Sequence, residues 1–307
     1  GEVVTWGRGR ETWGDARLGG DSSSVTGRVA AGVTSITGSR VAFAALKDAG
    51  GDAQGGGDSS AVAERLSAGM ASITGGDTAF AALTHAGEVV TWGSAGTGGD
   101  SSVVADRLAA GVISITGNTR AFAALKEAGE VVTWGAARRG GDSSAVVDRL
   151  GAGVTSIVCT DAAFAALKDA GEVVIWGLDG LGGDCSGAVA DRLSAGVTSI
   201  TANLGAFAAL KGAGEVVTWG AAGGGGDSSG VADLLASGVV SVKGTAYAFA
   251  ALTDAGEVVT WGSTGICGRS SSVADRLVAG VTSITGNRRS FAALKEAGEV
   301  VTCGDMG

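Results

Sequence analysis

Residues 129–167 read GEVVTWGAARRGGDSSAVVDRLGAGVTSIVCTDAAFAAL. Residues 130–134 are rich in β-branched side chains and close on Trp134, which is strand composition. Residues 135–141 form a glycine-rich loop. Asp142, Ser143 and Ser144 then offer a helix N-cap, and Val146 and Leu150 stand on one face of a short helix that Gly153 stops. Residues 154–157 make a second strand and 163–167 a third. Lys168-Asp169-Ala170-Gly171 closes a hairpin into the next copy of the first strand, with Gly171 suited to the left-handed position of a short loop. The unit is thus three short antiparallel strands and one helical turn. Both faces of its strands carry apolar or small residues, so each sheet needs a neighbour on each side.

The unit recurs. Phe-Ala-Ala-Leu begins at Phe43, Phe80, Phe122, Phe164, Phe207, Phe249 and Phe291, in steps of 37, 42, 42, 43, 42 and 42 residues, and there is no other phenylalanine. A fixed period of this size means one small unit stacked repeatedly. Sheets buried on both faces and joined in series are satisfied by a ring. The expected fold is all-β, a seven-bladed β-propeller with short three- to four-stranded blades and a short helical turn per repeat. Residues 1–307 are then a single domain of seven tandem repeats of about 42 residues. A solenoid of sheets is the alternative, but its coils usually repeat at about 20–30 residues and its ends need caps.

Two repeats are irregular. Trp6-Gly7 is followed by Trp13-Gly14, and Trp13 keeps the usual step to Phe43, which marks an insertion. Residues 50–55 read Gly-Gly-Asp-Ala-Gln-Gly where the Val-Val-Thr-Trp strand belongs. Eight slots for that strand, one of them ruined, face seven for Phe-Ala-Ala-Leu. The first copy, residues 2–6, is therefore expected to close the ring by completing or extending the last blade.

Composition narrows the function classes. Hydrophobic residues make up 45% and charged residues 17%, enough for a core; glycine stands at 57 and proline at zero, so turns rest on glycine. A net charge of −9 repels nucleic-acid backbones and anionic lipid, and no run is long and apolar enough to span a membrane. Residue 1 is Gly, inside a repeat motif, so the chain is expected to be an excerpt of a longer one. Cys159, Cys185, Cys267 and Cys303 replace a Gly, a Ser, another Gly and a Trp of the repeat, and none forms a C-x-x-C pair. They read as thiols of a reducing compartment, cytoplasmic or nuclear, rather than a disulfide framework or zinc site.

The order Gly-x-Val-x-x-Trp-Gly, a glycine-rich loop, Leu-x-x-Gly-Val-x-x-Ile and then Ala-Leu-x-x-x-Gly resembles the regulator of chromosome condensation repeat. Residues 129–135 with Leu150, Val154, Ile157, Ala166, Leu167 and Gly171 carry the resemblance, which covers essentially the whole chain. It implies a seven-bladed propeller. It also brings in a nucleotide exchange factor for a small GTPase, propellers attached to HECT-type ubiquitin ligases, and enzyme-capping inhibitors. The chain departs from the family where Ala121, Ala163 and Ala206 stand in place of its histidine, and where Gly140-Gly141-Asp142-Ser143 replaces its Gln-Leu-Gly. It has no insertion long enough for the exchange factor's wedge.

Candidate chemistry is sparse. His85, the one histidine, stands in a hairpin turn where other repeats carry Asp48, Glu127, Asp169 or Asp254. Asp21, Asp58, Asp100, Asp142, Asp184 and Asp227 recur as helix caps, a blade apart, too dispersed for calcium. The Asp-Arg pairs such as Asp106-Arg107 and Asp148-Arg149 read as solvated faces or inter-blade ion pairs. Trp13, Trp92, Trp134, Trp176, Trp219 and Trp261 read as inter-blade packing. Residues 223–226, glycine throughout, lack the lysine of a phosphate loop and read as a flexible loop. The expectation is no enzyme, no cofactor and no metal.

What varies between repeats is the tripeptide joining the second and third strands and the loop after Trp-Gly. Strand direction puts both at the same end of the sheet. This rim supplies the candidate interaction residues: Arg8, Arg10, Arg40, Asp77, Arg120, Arg138, Arg139, Asp161, Leu204, Tyr247, Arg288 and Arg289. Closing the ring brings Arg288 and Arg289 beside Arg8, Arg10 and Arg40, a basic sector suited to an acidic protein partner. The leading reading is a monomeric, non-enzymatic protein–protein interaction scaffold. The alternative is an accessory propeller of a nucleotide exchange factor or ubiquitin ligase.

Overall fold

The computed structural model describes residues 2–7, 33–38, 42–47, 59–67, 69–264 and 274–304. It divides into two compact units, Gly1–Val154 and Thr155–Gly307. The first unit holds three three-stranded antiparallel sheets. Sheet 1 is built from Glu2–Gly7, Val33–Gly38 and Ala42–Lys47, and sheet 2 from Met70–Gly75, Ala79–Thr84 and Val89–Gly93. Sheet 3 comprises Val112–Gly117, Ala121–Lys126 and Val131–Gly135. In the second unit, sheet 4 starts at the boundary with Val154–Cys159 and continues with Ala163–Lys168 and Val173–Gly177. Sheet 5 is Val197–Ala202, Ala206–Lys211 and Val216–Gly220; sheet 6 is Val239–Gly244, Ala248–Thr253 and Val258–Gly262. Sheet 7 is Val281–Gly286, Ser290–Lys295 and Val300–Gly304.

The Phe-Ala-Ala-Leu strand is central in every one of these sheets. Its alternation decides how they stack. Ala121, Ala123 and Leu125 point one way, Phe122 and Ala124 the other. In the first unit, Ala79, Ala81 and Leu83 of sheet 2 lie against Phe122, Ala124, Val132 and Trp134 of sheet 3, with Leu108 and Val112 completing the cluster. The second unit repeats this arrangement between sheets 4 and 5, 5 and 6, and 6 and 7. Alanine on one face leaves the room that the next sheet's rings fill. Phe122, Phe164, Phe207 and Phe249 are consequently fully buried.

The two rings of a repeat also stack on each other inside one sheet. Phe207 pairs with Trp219 across the ladder, and their centroids lie 5.0 Å apart at 16°. The same register holds Phe122 on Trp134 at 5.4 Å. Each indole then reaches back to the preceding repeat: Trp134 Nε1 donates to Gly98 O at 3.0 Å, Trp219 Nε1 to Gly182 O at 3.2 Å, and Trp261 Nε1 to Gly225 O at 3.0 Å. Trp92 Nε1 finds no acceptor among the described residues. It follows the repeat whose Val-Val-Thr-Trp strand is ruined.

That ruin is repaired locally, which corrects the sequence expectation. Glu2–Gly7 does not complete the last sheet. It is the outer strand of sheet 1, in the order Glu2–Gly7, Ala42–Lys47, Val33–Gly38. Its register, Trp6 opposite Phe43 and Gly7 opposite Ala42, is the register of Trp134 opposite Phe122 and Gly135 opposite Ala121. Sheet 7 carries its own third strand, with Cys303 opposite Phe291 in the tryptophan place.

The segment after Trp-Gly is also more regular than its composition suggests. Ala222–Gly224 is a 3-10 turn capped by Gly225 at a φ of 95°, so residues 223–226 are a built turn and not a loose glycine run. The equivalents Ala95–Thr97 and Asp179–Leu181 end on Gly98 and Gly182. A Cβ on Gly182 would stand 2.7 Å from Phe207 Cδ2, and one on Gly98 2.5 Å from Phe122 Cδ2. The glycine is required twice over, by its left-handed φ and by the ring it touches.

Candidate interaction surface

The loops that differ between repeats are built on shared hydrogen bonds. The first residue of five tripeptides, Asn118, Thr160, Asn203, Thr245 and Asn287, is an anchor. Asn203 Oδ1 accepts from the amides of Gly205 at 3.0 Å and Ala206 at 2.8 Å, while its Nδ2 donates to Gly224 O at 2.6 Å. Asn118 does the same with Arg120 N, Ala121 N and Arg139 O. Thr160 serves with a hydroxyl, accepting from Ala163 N at 3.1 Å and donating to Leu181 O at 2.9 Å. Asn118, Thr160, Asn203 and Thr245 are all buried. The sequence reading takes the whole tripeptide as variable; at five first positions an Asn or Thr side chain makes this local turn, while Gly76 bonds Ala79 O through its amide alone.

The second residue forms a belt. Asp77 N donates to Thr119 O at 2.6 Å in the first unit. In the second unit Asp161 N donates to Leu204 O at 3.0 Å, Leu204 N to Ala246 O at 3.2 Å, and Ala246 N to Arg288 O at 3.0 Å. These bonds use the backbone alone, so the frame is indifferent to the side chain. The third residue ties in the other loop. Arg120 O accepts from Ala136 N at 2.9 Å, Ala162 O from Leu178 N at 2.9 Å, Gly205 O from Ala221 N at 2.8 Å and Tyr247 O from Ser263 N at 2.9 Å. In sheets 2–6 the two diversified loops therefore do share one end of the sheet, as strand direction required.

Within the first unit this wiring gathers Arg120, Arg138 and Arg139 at one loop pair, with Asp77 one repeat away. Arg120 and Arg138 are exposed and Arg139 and Asp77 half-buried. The second unit places Asp161, Leu204, Tyr247, Arg288 and Arg289 along its belt, with Tyr247 45% exposed and both arginines exposed. Arg8, Arg10 and Arg40, and with them the expected basic sector, lie outside the described residues.

Other candidates take structural places. Asp100, Asp142 and Asp227 do not cap a helix directly. Each Oδ1 accepts the amide two residues on, at 2.9 Å, turning the chain into a 3-10 turn. Those amide bonds hold all three carboxyls below their ordinary range. The serine between binds inward, Ser143 Oγ to Thr133 Oγ1 at 2.9 Å. Arg107 ignores its neighbour Asp106 and donates instead to Glu130 Oε1 at 2.7 Å and to Val131 O at 3.3 Å. Arg192 repeats this on Glu215. These solvent-facing pairs tie a helical turn to the residue before an outer strand and are of small worth.

His85 is exposed in its hairpin, its amide bonded to Gly69 O at 3.0 Å. Burial pushes the Cys159 thiol up to about 12, with the Asp161 charge adding to it. It is therefore a thiol and not a nucleophilic thiolate at neutral pH. Among the described residues no three His, Cys, Asp or Glu side chains converge on a metal position, and no helix is long and apolar enough to cross a membrane.

No family model matches the chain, and no curated protein does. Solved structures similar to it include human WBSCR16, 16% identical over 76% of each chain with a TM-score of 0.46. Prp20p from Saccharomyces cerevisiae, described with its binding to Gsp1p and histones, is 15% identical over 78% of this chain and 72% of its own, at 0.46. Yeast RCC1 (Prp20) bound by Kap60 is 17% identical over 76% and 70%, at 0.45. Similarity of this degree transfers neither partner nor activity.

Proposed function

We propose that the chain is a seven-bladed propeller and a non-enzymatic scaffold that binds another protein through its tripeptide loops. One observation carries the reading. The belt Asp161–Leu204–Ala246–Arg288 is made by backbone bonds, so residues as different as Asp, Leu, Ala and Arg occupy one structural position without disturbing the frame. A surface built this way diversifies at low cost in stability, which suits recognition on a rigid frame. Arg120, Arg138 and Arg139 on one loop pair, and Arg288 and Arg289 on another, favour a partner with an acidic surface.

Support for a ring lies in the polarity of the stack. Each of sheets 2–6 offers alanines on one face and a stacked Phe-Trp pair on the other. The alanine face of sheet 7 is open, with Leu294 43% and Val300 55% exposed where Leu125 and Val131 are buried. A reducing, intracellular setting accords with thiols such as Cys159. The absence of an enzymatic role accords with His85 on an exposed turn and Cys159 held protonated.

The test replaces every tripeptide by Asn-Thr-Arg, the sequence of residues 118–120, which keeps the anchor and the belt. The altered chain is expected to melt near the parent temperature and to lose the proteins that the parent captures from extract. Capture of the same proteins by the altered chain would overturn the reading.

A further inference from the structure

Sheet 1 separates two things that the other sheets combine. In sheets 2–7 the outer strand follows the central strand through a tight hairpin, as Lys126 leads through Gly129 to Val131. Hairpin geometry and side-chain pairing there act together, and neither can be credited with the register. In sheet 1 the outer strand is Glu2–Gly7, which no hairpin joins to the central strand. Residues 50–55 have lost the strand sequence, and Glu2–Gly7 arrives from the other end of the repeat, ahead of both of its sheet partners in the chain. It still adopts the register of the hairpin-linked strands residue for residue: Val3 opposite Leu46, Val4 opposite Ala45, Thr5 opposite Ala44 and Trp6 opposite Phe43. Sheet 3 matches this with Val131 opposite Leu125, Val132 opposite Ala124, Thr133 opposite Ala123 and Trp134 opposite Phe122.

The slot beside Ala42–Lys47 therefore takes up its occupant in register without a connecting hairpin. We infer that the outer edge of sheet 1 is a strand-acceptor site, specific for an extended Glu-Val-Val-Thr-Trp-Gly segment, with Glu2–Gly7 as its resident ligand. Recognition divides as in other strand-addition sites, with affinity from the ladder and specificity from alternate side chains. The specific elements are the tryptophan opposite Phe43 and the valine opposite Ala45. Their counterparts in sheet 3 are Trp134 and Val132, opposite Phe122 and Ala124. The matching partner is a second copy of this chain, because Glu-Val-Val-Thr-Trp-Gly recurs unchanged at residues 88–93, 130–135, 215–220 and 257–262. The resident strand holds the site at an effective concentration on the order of millimolar, so a segment offered in trans binds only when the resident one is weakened or displaced.

The experiment uses the full chain with Val4→Asp and Trp6→Ala, and a fluorescein-labelled Glu-Val-Val-Thr-Trp-Gly peptide followed by anisotropy. Saturable binding to the variant, at least about tenfold tighter than to the parent chain, is expected. A scrambled peptide, Trp-Glu-Val-Gly-Thr-Val, is expected not to bind. No saturable binding to a variant with the parent's circular dichroism, or equal binding of the scrambled peptide, would overturn the proposal. Hydrogen exchange on the unaltered chain tests it without mutation. A detachable strand leaves the amides of Ala42–Lys47 that face it at least about tenfold less protected than their counterparts in Ala121–Lys126; equal protection of the two strands would count against the site. Neither measurement involves the tripeptide loops, so their outcome is independent of the proposed scaffold role.

Discussion

Gly182→Ala puts the stacking principle to its hardest test, because a single methyl is asked to disturb two repeats. Gly182 has a φ of 95°, which costs an alanine about 1–2 kcal/mol. The new Cβ would also lie 2.7 Å from both Cδ2 and Cε2 of Phe207 and 3.4 Å from Trp219 Cδ1. Phe207 cannot retreat: it is fully buried, stacked on Trp219, and backed by the alanines of its own strand. Overpacking of this kind adds about 1–3 kcal/mol, for a total of about 2–5 kcal/mol. Gly180 supplies the control from the same turn, since nothing lies within 4 Å of its Cβ position and its φ is not positive. Gly180→Ala is expected to be neutral or stabilising by up to about 1 kcal/mol. Urea denaturation reads both. A double-mutant cycle with Phe207→Ala then separates the contributions, because without the ring only the backbone cost survives, leaving a coupling of about 1–3 kcal/mol. If Gly182→Ala proves as mild as Gly180→Ala, or costs the same with and without the Phe207 ring, the seating of the glycine on the next sheet's aromatics is wrong.

Asn203→Ala strands the Gly224 carbonyl and the Gly205 and Ala206 amides and is expected to cost about 2–4 kcal/mol in thermal or urea melts. Asn203→Thr, copying Thr160, should recover most of that loss. Asp100, Asp142 and Asp227 have folded-state pKa values below their unfolded ones. Their contribution is therefore complete above the unfolded value, about 4, and is lost as pH falls through the lower folded value. The midpoint of thermal unfolding should drop below about pH 4, and less steeply in the triple Asp→Asn chain, which keeps the acceptor oxygen without the titration. Glu130→Gln, which weakens the exposed pair with Arg107, is expected to change stability by less than about 1 kcal/mol in the same melts.

The sequence carried the stack because stacking is a side-chain matter. Phe-Ala-Ala-Leu and Val-Val-Thr-Trp write their alternation into residue types, so strands, faces and period were all legible. The loops followed a different logic. The belt through Asp161, Leu204, Ala246 and Arg288 is made of amides and carbonyls, and such bonds leave no trace in composition. The anchors did leave one, since Asn118, Asn203 and Asn287 alternate with Thr160 and Thr245. Both residue types can turn a side-chain oxygen onto the backbone that follows. Reading the tripeptide as one variable block hid that column.

The place of Glu2–Gly7 was hidden for a further reason. A strand's sequence specifies which neighbour it fits, but seven near-identical central strands offer the same fit. Sequence complementarity alone cannot choose between the first sheet and the last. What chooses is vacancy: the last central strand reaches its own Val300–Gly304 through a hairpin, while the ruined residues 50–55 leave Ala42–Lys47 without one. A local partner costs less loop entropy than a distant one, so sheet 7 fills its slot from within. In a repeat protein the damaged unit, and not the terminus, decides where a spare strand goes.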